Sequence, residues 1–286
     1  MQYEAPASVK EACSLLGKSG GNAYVLAGGT DLLVRMKGAF IEPDIVIDIK
    51  RIAEMNEIRK TADSFEIGAA VSCAKLGENT AVKKAWPGVV EAANLIGSKQ
   101  IQSRCTMVGN LCNASPAADS VPAMIAAGAQ AVVAGPRKQR VVPVEQIPVS
   151  PGRTSLAPGE IIQAILLPKP PSRTADAYLR FIPRTEMDIA VVSAGVCLTL
   201  DQKGRIKTAR VALGAVAPTV ILVPAAAEAI TGSALDEEAL ERFAEACSAA
   251  CRPIDDKRGT REFRIKIAGV MAKRAAKIAF ERAGGR

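Results

Sequence analysis

The fold of this chain is decided by the stretch Ala27-Gly28-Gly29-Thr30-Asp31-Leu32-Leu33, which lies between the apolar run 24–26 and the helix-forming run 34–37. The pattern predicts a strand, a tight glycine turn and the start of a helix capped by Thr30 or Asp31. Adjacent glycines allow positive φ and close backbone approach to a ligand, and the free N–H groups favour phosphate or pyrophosphate. A Gly-Gly turn after a strand is more often only a turn, and this one is not the G-x-G-x-x-G dinucleotide pattern.

A second segment, 106–122, is dense in small and hydrogen-bonding residues and leads into an apolar helical stretch, 123–127. Its Thr, Asn and Ser side chains, and the backbone at Gly109-Asn110, can donate to phosphate oxygens. Asp119 is predicted at the N-cap of the helix, and its carboxylate also suits ribose hydroxyls. The alternative is a long polar loop, although a loop of this length is uncommon in a compact domain unless it has a function.

Two further motifs follow in order. They are Arg184-Thr185-Glu186-Met187-Asp188-Ile189-Ala190-Val191-Val192 and Asp256-Lys257-Arg258-Gly259-Thr260-Arg261-Glu262-Phe263-Arg264. With the two glycine-bearing segments, they resemble the FAD-binding subunits of the molybdenum hydroxylases. That family includes the flavin subunit of carbon monoxide dehydrogenase and the flavin domain of xanthine dehydrogenase. The resemblance covers nearly all of the 286 residues.

The resemblance implies an α+β fold. A two-part α/β FAD-binding domain of the PCMH type would be followed by a C-terminal domain of a sheet with helices. We expect FAD-binding subdomain 1 at residues 1–55, FAD-binding subdomain 2 at 56–175 and the C-terminal flavoprotein domain at 176–286.

The resemblance also implies an oxidoreductase subunit that transfers electrons. In the family, a molybdopterin-binding large subunit oxidises the substrate, and a small subunit with two [2Fe–2S] clusters passes electrons to FAD. FAD then reduces NAD, a quinone or another acceptor. The partners' cysteine motifs do not occur in this sequence, so both partners are expected to be separate chains. The substrate pocket is expected in the large subunit, so this sequence does not identify the substrate.

The family's cofactor-binding roles carry over to positions of this sequence that match its motifs. Residues 26–33 are expected to wrap the FAD pyrophosphate, Thr106, Gly109 and Asn110 to hold it from the other side, and Asp119 to bind the AMP ribose. The full expected set is Leu26, Ala27, Gly28, Gly29, Thr30, Asp31, Leu32, Leu33, Thr106, Gly109, Asn110, Cys112, Asp119, Ile162 and Arg180. Two residues depart from the family pattern. Val108 stands where the family usually has the first glycine of a Gly-Gly pair, and Ile96 stands near the position at which xanthine dehydrogenases carry a phenylalanine against the flavin ring.

The chain contains no histidine, which excludes a Ser-His-Asp triad, a histidine metal site and a histidyl–flavin bond. FAD is therefore expected to be bound non-covalently and to supply the chemistry itself. Seven cysteines, an odd number without a C-x-x-C pair, indicate reduced thiols in the cytoplasm and no metal site. The start of the sequence has no signal-peptide pattern, and no apolar run is long enough to span a membrane.

The net charge of +8 is concentrated in residues 257–286, which hold ten Lys or Arg and two Glu. This basic C-terminal helix is interpreted either as a solvated face or as a docking surface for an acidic partner subunit. A nucleic-acid surface is less favoured because the helix lacks interleaved aromatic residues.

Two other functions remain open from the sequence. One is a stand-alone FAD-dependent reductase or oxidase of the same flavin-binding fold, which would need its own substrate pocket and proton donor. The other is an assembly subunit that has lost FAD, which the glycine pair and Asp119 argue against.

The sequence patterns also predict the elements that frame these motifs. A capping box at Ser8 and Glu11 opens a first helix. Strands are predicted at 25–27, 45–49, 65–70, 71–73, 130–134, 141–144 and 161–167, and helices at 89–96, 224–231, 236–251 and 258–283. Residues 189–200 and 205–215 are predicted to form a hairpin.

Overall fold

The computed structural model describes residues 1–285. Its first unit is a three-stranded parallel sheet of order β1-β3-β2 with two helices. The elements are β1 (Gln2–Glu4), α1 (Val9–Lys18), β2 (Ala23–Leu26), α2 (Leu32–Lys37) and β3 (Ile45–Asp48). The Ser8 half of the predicted capping box is confirmed, since the Ser8 hydroxyl accepts from the Glu11 N–H. The Glu11 carboxylate accepts from the N–H of Ala7, one residue before the N–H that a capping box uses. The central strand β3 is fully buried, whereas the edge strand β1 is exposed.

The second unit is a five-stranded antiparallel sheet of order β4-β5-β10-β6-β7. Six short helices lie between its second and third strands in the chain. The elements are β4 (Ile58–Lys60), β5 (Ser64–Gly68), α3 (Cys73–Glu78), α4 (Thr80–Ala85), α5 (Pro87–Ala93), α6 (Lys99–Gln102), α7 (Met107–Cys112), α8 (Ser120–Ala126), β6 (Gln130–Ala134), β7 (Gln139–Pro143), β8 (Pro148–Ser150), β9 (Arg153–Thr154) and β10 (Ile161–Pro168). Strands β8 and β9 pair only with each other.

The third unit is a four-stranded antiparallel sheet of order β11-β12-β13-β14 followed by three helices. The elements are β11 (Thr174–Phe181), β12 (Val192–Leu200), β13 (Ile206–Gly214), β14 (Ile221–Leu222), α9 (Pro224–Ile230), α10 (Glu237–Ala250) and α11 (Arg261–Arg282). The predicted hairpin is confirmed as β12 and β13, joined by a turn in which Gly204 has φ +79°. Across residues 1–285, none of the helices combines the length and the apolar character that a membrane crossing needs.

The third sheet is covered on both faces. Helix α11 packs on β11 and β12, while α5 and α8 of the second unit pack on the other face of the sheet. At two crossings the backbones touch, since a Cβ on Gly88 of α5 would lie 2.8 Å from the Ala177 Cα, and one on Gly195 of β12 would lie 2.5 Å from the Pro122 carbonyl oxygen. The sheet therefore fixes the positions of both helices.

Two predictions from the sequence are wrong in detail. The predicted strand at 71–73 is instead the entry to α3, because the Ser72 hydroxyl accepts from the Lys75 N–H and caps a helix that begins at Cys73. The alternative interpretation of 106–122 as one long loop is also wrong. Helix α7 occupies 107–112, where Thr106 caps it by accepting from the Gly109 N–H at 2.9 Å.

Asp176 joins the second and third units. Its carboxylate, on β11, accepts from the N–H groups of Gly88 (3.0 Å) and Val89 (2.9 Å) in the first turn of α5. The residue is only 1% exposed, and this burial raises its pKa to about 6, although the hydrogen bonds to Gly88 and Val89 lower it. The carboxylate thus serves as a helix cap supplied from a different element.

We predict that Asp176→Ala lowers the free energy of unfolding by about 2–5 kcal/mol, because two buried N–H groups lose their acceptor. Glu245→Ala, at an exposed position on α10, is the matched control and is expected to change stability very little. Thermal and denaturant melts of both variants provide the measurement. Equal melts for Asp176→Ala and the control would show that the cap contributes nothing.

Candidate functional site

A cavity of about 420 Å³ lies where the carboxyl end of β2 meets the start of α7. Parallel sheets of α/β units commonly bind ligands at this end of their strands. Eleven of the fifteen residues predicted from the sequence line it: Ala27, Gly28, Gly29, Thr30, Asp31, Leu32, Thr106, Gly109, Asn110, Cys112 and Ile162. Leu26, Leu33, Asp119 and Arg180 do not line it. Two segments 75 residues apart in sequence, Asp31 and Thr106 among them, therefore form opposite walls of one cavity.

The first wall is the glycine turn, residues 27–32. Within residues 1–285, the N–H groups of Gly28, Gly29, Thr30, Asp31 and Leu32 have no hydrogen-bond acceptor. All five residues line the cavity. A run of free N–H groups that continues into a helix start carries a positive partial charge and is suited to an anion. The strand–turn–helix predicted from the sequence is therefore confirmed, and its donors are free. The predicted side-chain cap is wrong, because Asp31 at the N-cap of α2 has helical φ and ψ and makes no capping hydrogen bond.

The two glycines of this turn are needed for different reasons. Gly29 has φ +75°, a conformation that favours glycine. Gly28 has an ordinary φ, but a Cβ there would lie 2.1 Å from the Arg104 carbonyl oxygen and 2.8 Å from the Cys105 Cα. The glycine turn therefore rests directly on the backbone of the opposite wall. This contact changes the expected role of Gly28, because its missing side chain makes room for Arg104 and Cys105 rather than for a ligand.

The second wall is the threonine segment, residues 104–113, and the two N–H groups predicted to donate on this side, those of Gly109 and Asn110, already have partners. The Asn110 N–H donates to the Thr106 carbonyl oxygen, and the Gly109 N–H to the Thr106 hydroxyl. The Asn110 amide oxygen accepts from the N–H and the hydroxyl of Ser120 at the start of α8. The backbone N–H groups expected to donate to phosphate on this side are therefore used inside the chain. This wall thus offers fewer free backbone donors than the glycine turn, although the N–H of Val108 is a cavity-lining donor without an acceptor within residues 1–285.

Gly109 is the position on this wall where the backbone faces the cavity without a side chain. A Cβ there would meet only the Thr106 hydroxyl oxygen, at 3.1 Å, and its direction is otherwise open. Gly109 lines the cavity. A side chain at this position would therefore enter the space available to a ligand.

Two carboxylates line the cavity, Glu160 and Asp31, and Glu160 is paired with Arg140. Arg140 holds Glu160 through a double contact at 2.8 and 3.0 Å, which lowers the pKa of Glu160. Asp31 accepts weakly from the Asn113 amide at 3.3 Å, which links the two walls. Partial desolvation raises the pKa of Asp31, and the nearby Arg35 opposes this shift. The charge facing an anion in this cavity is thus lower than the sequence alone indicates.

Asp119 lies at the N-cap of α8, as predicted, but its side chain makes no capping hydrogen bond. Its carboxylate accepts from the Tyr178 hydroxyl at 2.8 Å and from Arg180 at 2.7 Å. A guanidinium is a stronger partner for a carboxylate than a neutral N–H, which accounts for the difference. Burial raises the pKa of Asp119 to about 6, and Arg180 opposes this. Asp119 and Arg180 are thus brought together, but the carboxylate oxygens are already used inside the chain.

Much of the remaining lining was not predicted. Its apolar and aromatic part includes Leu16, Tyr24, Ile49, Leu156 and Ile161, and the Arg35 guanidinium lies 5.9 Å from the Tyr24 ring. Ile96 and Val108, the two departures from the family pattern, also line the cavity. None of these positions carries a local motif, because they reach the cavity from separate elements.

The chain matches two family models in succession. The FAD binding domain in molybdopterin dehydrogenase matches residues 1–170, and the CO dehydrogenase flavoprotein C-terminal domain matches residues 177–279. The chain is 34% identical to the carbon monoxide dehydrogenase medium chain of Hydrogenophaga pseudoflava, covering 98% of this chain and 97% of the relative. It is 30% identical to the xanthine dehydrogenase FAD-binding subunit of Escherichia coli O157:H7, covering 99% and 97%. A solved structure of the H. pseudoflava carbon monoxide dehydrogenase, lacking the Mo-pyranopterin moiety of the molybdenum cofactor, superposes with a TM-score of 0.94 at 35% identity, covering 99% of this chain and 98% of that one.

We predict different effects from two glycine substitutions. Gly28→Ala should destabilise the folded chain by about 1–3 kcal/mol or more, because its Cβ overlaps the Arg104 backbone. Gly109→Ala should fold normally but lower FAD affinity by about tenfold or more, because its methyl group narrows the cavity. Melting temperatures and FAD titrations separate the two effects.

Gly17→Ala is the matched control, since a Cβ at Gly17 meets its nearest neighbour at 3.8 Å. It should leave FAD affinity unchanged and should not lower the melting temperature, since alanine favours a helix more than glycine does. Wild-type stability for Gly28→Ala would mean that the two walls do not touch as described.

Proposed function

Because this chain belongs to the family of FAD-binding subunits of the molybdenum hydroxylases, we propose that its cavity holds FAD through the glycine turn. The chain is the FAD-carrying subunit of a multi-subunit oxidoreductase. The five free N–H groups from Gly28 to Leu32 support this assignment most strongly, because they form an anion site in a cavity that also has an apolar end. A dinucleotide with a pyrophosphate between two aromatic ring systems suits both features.

We assign the pyrophosphate to the first wall. Residues 27–32 would donate their free N–H groups to its oxygens, and Leu26 and Leu33 would support the turn from outside the cavity. Gly109, Thr106, Asn110 and Cys112 would bound the same ligand from the second wall, with Ile162 beside it. When bound, FAD supplies the redox chemistry, while the chain binds it, orients it and excludes water.

We propose an indirect role for Asp119 and Arg180. In the family pattern Asp119 is expected at the AMP ribose and Arg180 near the flavin. The ion pair between them is 2.7 Å long, and the Arg180 side chain is only 5% exposed. The pair therefore holds the start of α8 against β11 at the edge of the cavity. A ribose hydroxyl could reach Asp119 only by sharing an oxygen with Tyr178 or Arg180.

We further propose the path of electrons and the partners. A small subunit with [2Fe–2S] clusters would reduce FAD, a molybdopterin-binding large subunit would oxidise the substrate, and an external acceptor would reoxidise FAD. The chain would work in the cytoplasm, with three units at residues 1–55, 56–175 and 176–286. The absence of histidine supports non-covalent binding of FAD, since one common covalent attachment residue is missing.

The purified chain should be yellow and should release about one FAD per chain on acid or heat denaturation. In titrations of the FAD-free chain, FAD should bind at least about a hundredfold more tightly than FMN. The reason is that FMN lacks the AMP half of FAD, which includes the second phosphate. Fluorescence quenching of the flavin gives both affinities. A colourless chain that binds neither flavin contradicts the proposed function, and equal affinities contradict the assignment of the pyrophosphate to the glycine turn.

The basic face of α11, formed by Lys266, Lys273, Arg274 and Lys277, offers a test of assembly with a partner subunit. Lys273 and Lys277 are paired with Glu237, so they are poor choices for charge reversal. Lys266 and Arg274 are exposed and have no ion pair within residues 1–285. The double variant Lys266→Glu/Arg274→Glu should weaken co-purification with an iron–sulfur subunit by roughly three- to tenfold. The loss should be larger at low salt, because exposed charges are screened beyond about 10 Å at 0.1 M salt.

The control is Lys203→Glu/Lys207→Glu, which reverses two exposed charges on the β12–β13 hairpin. FAD content should be the same in both double variants. If the two double variants assemble equally well, the basic face of α11 is a solvated face and not a docking surface. Turnover of a substrate by the isolated chain would favour a stand-alone enzyme.

A further inference from the structure

Two cysteines face each other in the wall below the glycine turn. Ser72 and Thr106 form an isolated antiparallel bridge, so the next residue on one side, Cys73, lies opposite the preceding residue on the other, Cys105. The Cys73 N–H donates to the Cys105 carbonyl oxygen at 2.8 Å. Side chains of directly opposed residues in an antiparallel pair lie on the same side, with Cβ atoms about 4.5–5.5 Å apart.

This spacing is close to what a disulfide requires. Disulfide-bonded cysteines have Cα atoms about 4.4–6.8 Å apart and Cβ atoms about 3.5–4.5 Å apart, so little movement is needed. Both residues are buried, at 0% and 4% exposure, but Cys105 also lines the cavity. A small oxidant entering the cavity therefore reaches Cys105 before Cys73.

The surroundings make Cys105 the more reactive of the two. Donation from the Cys73 thiol stabilises the Cys105 thiolate and lowers its pKa, although burial and Asp31 oppose this. Cys112 also lines the cavity and is only partly buried, but desolvation raises the pKa of its thiol to about 12. Thiolate character controls oxidation by peroxides, so Cys105 is favoured over Cys112.

We propose that Cys73 and Cys105 form an oxidation site in the cavity wall, where a peroxide converts two thiols into a disulfide. The Cys105 thiolate attacks one peroxide oxygen, the O–O bond breaks, and Cys105 becomes a sulfenic acid with release of hydroxide. The Cys73 sulfur then attacks the Cys105 sulfur, the S–O bond breaks, and the leaving hydroxide takes the Cys73 proton to form water. In sum, two thiols and one hydrogen peroxide give one disulfide and two waters.

The position of the pair ties its chemistry to the ligand cavity. The Cys105 Cα is one of the atoms on which Gly28 rests, so the disulfide would fasten α3 to the wall that supports the glycine turn. A ligand in the cavity would cover Cys105. Protection by FAD rests on the proposed function, whereas disulfide formation in the FAD-free chain does not.

The test exposes the full chain, with and without FAD, to hydrogen peroxide. Free thiols are then alkylated under denaturing conditions, and the unreduced digest is analysed by mass spectrometry. We expect a cross-linked peptide pair containing Cys73 and Cys105 that weighs two hydrogens less than the separate peptides. Saturation with FAD should slow its formation by about fivefold or more, because susceptibility follows exposure of the thiol.

Matched variants make the result specific. Cys73→Ser and Cys105→Ser should each abolish the cross-link, while Cys112→Ser should retain it, and melting curves check that each variant is folded. If Cys105→Ser does not fold, Cys73→Ser gives the same test. Full alkylation of Cys73 and Cys105 after peroxide, or a cross-link from Cys105 to Cys112, would overturn the proposal. A cross-link that FAD does not slow would support the dithiol pair and contradict the placement of FAD against this wall.

Discussion

The cavity depends on one close contact, the backbone of Gly28 against the backbone of Arg104 and Cys105. No side chain fits between these two segments, so the glycine turn of the parallel sheet and the threonine segment are held at the distance of touching main chains. The same contact leaves the N–H groups of the turn directed away from the protein's own acceptors. Unpartnered N–H groups are normally costly when buried, and here they line a cavity where a ligand can satisfy them. Packing therefore prepares the site without filling it.

The C-terminal sheet holds α5 and α8, the helices of the second unit that lie on either side of the second wall in sequence. It packs against α5 and α8 with close backbone contacts at Gly88 and Gly195, and its Asp176 caps α5. The ion pair of Asp119 with Arg180 joins the start of α8 to β11 in the same region. The C-terminal domain thus contributes to the geometry of a cavity that it does not line. This arrangement gives a physical reason for the two family domains to occur together in one chain.

The chemistry assigned to this chain requires little reactivity from its side chains. FAD carries the electrons, and the protein supplies donors for the pyrophosphate, apolar surface for the rings and neutralised carboxylates at the cavity edge. Glu160 is held by Arg140, and Asp119 by Arg180, so neither presents a free charge to an anionic cofactor. A chain without histidine is adequate for this task, since no proton shuttle is needed to hold a dinucleotide.

The sequence by itself determined the family, the glycine turn and eleven of the residues that line the cavity, because these depend on local patterns: a strand, two glycines, a helix start and the T-x-x-G-N segment. It also predicted the C-terminal hairpin from alternation and a polar turn. It could not predict what each residue contacts. That Gly28 is needed for Arg104, that Asp119 turns to Arg180 instead of capping α8, and that Cys73 faces Cys105 are results of tertiary packing. Each contact joins positions between 32 and 76 residues apart, and no local rule of propensity or periodicity operates over that separation.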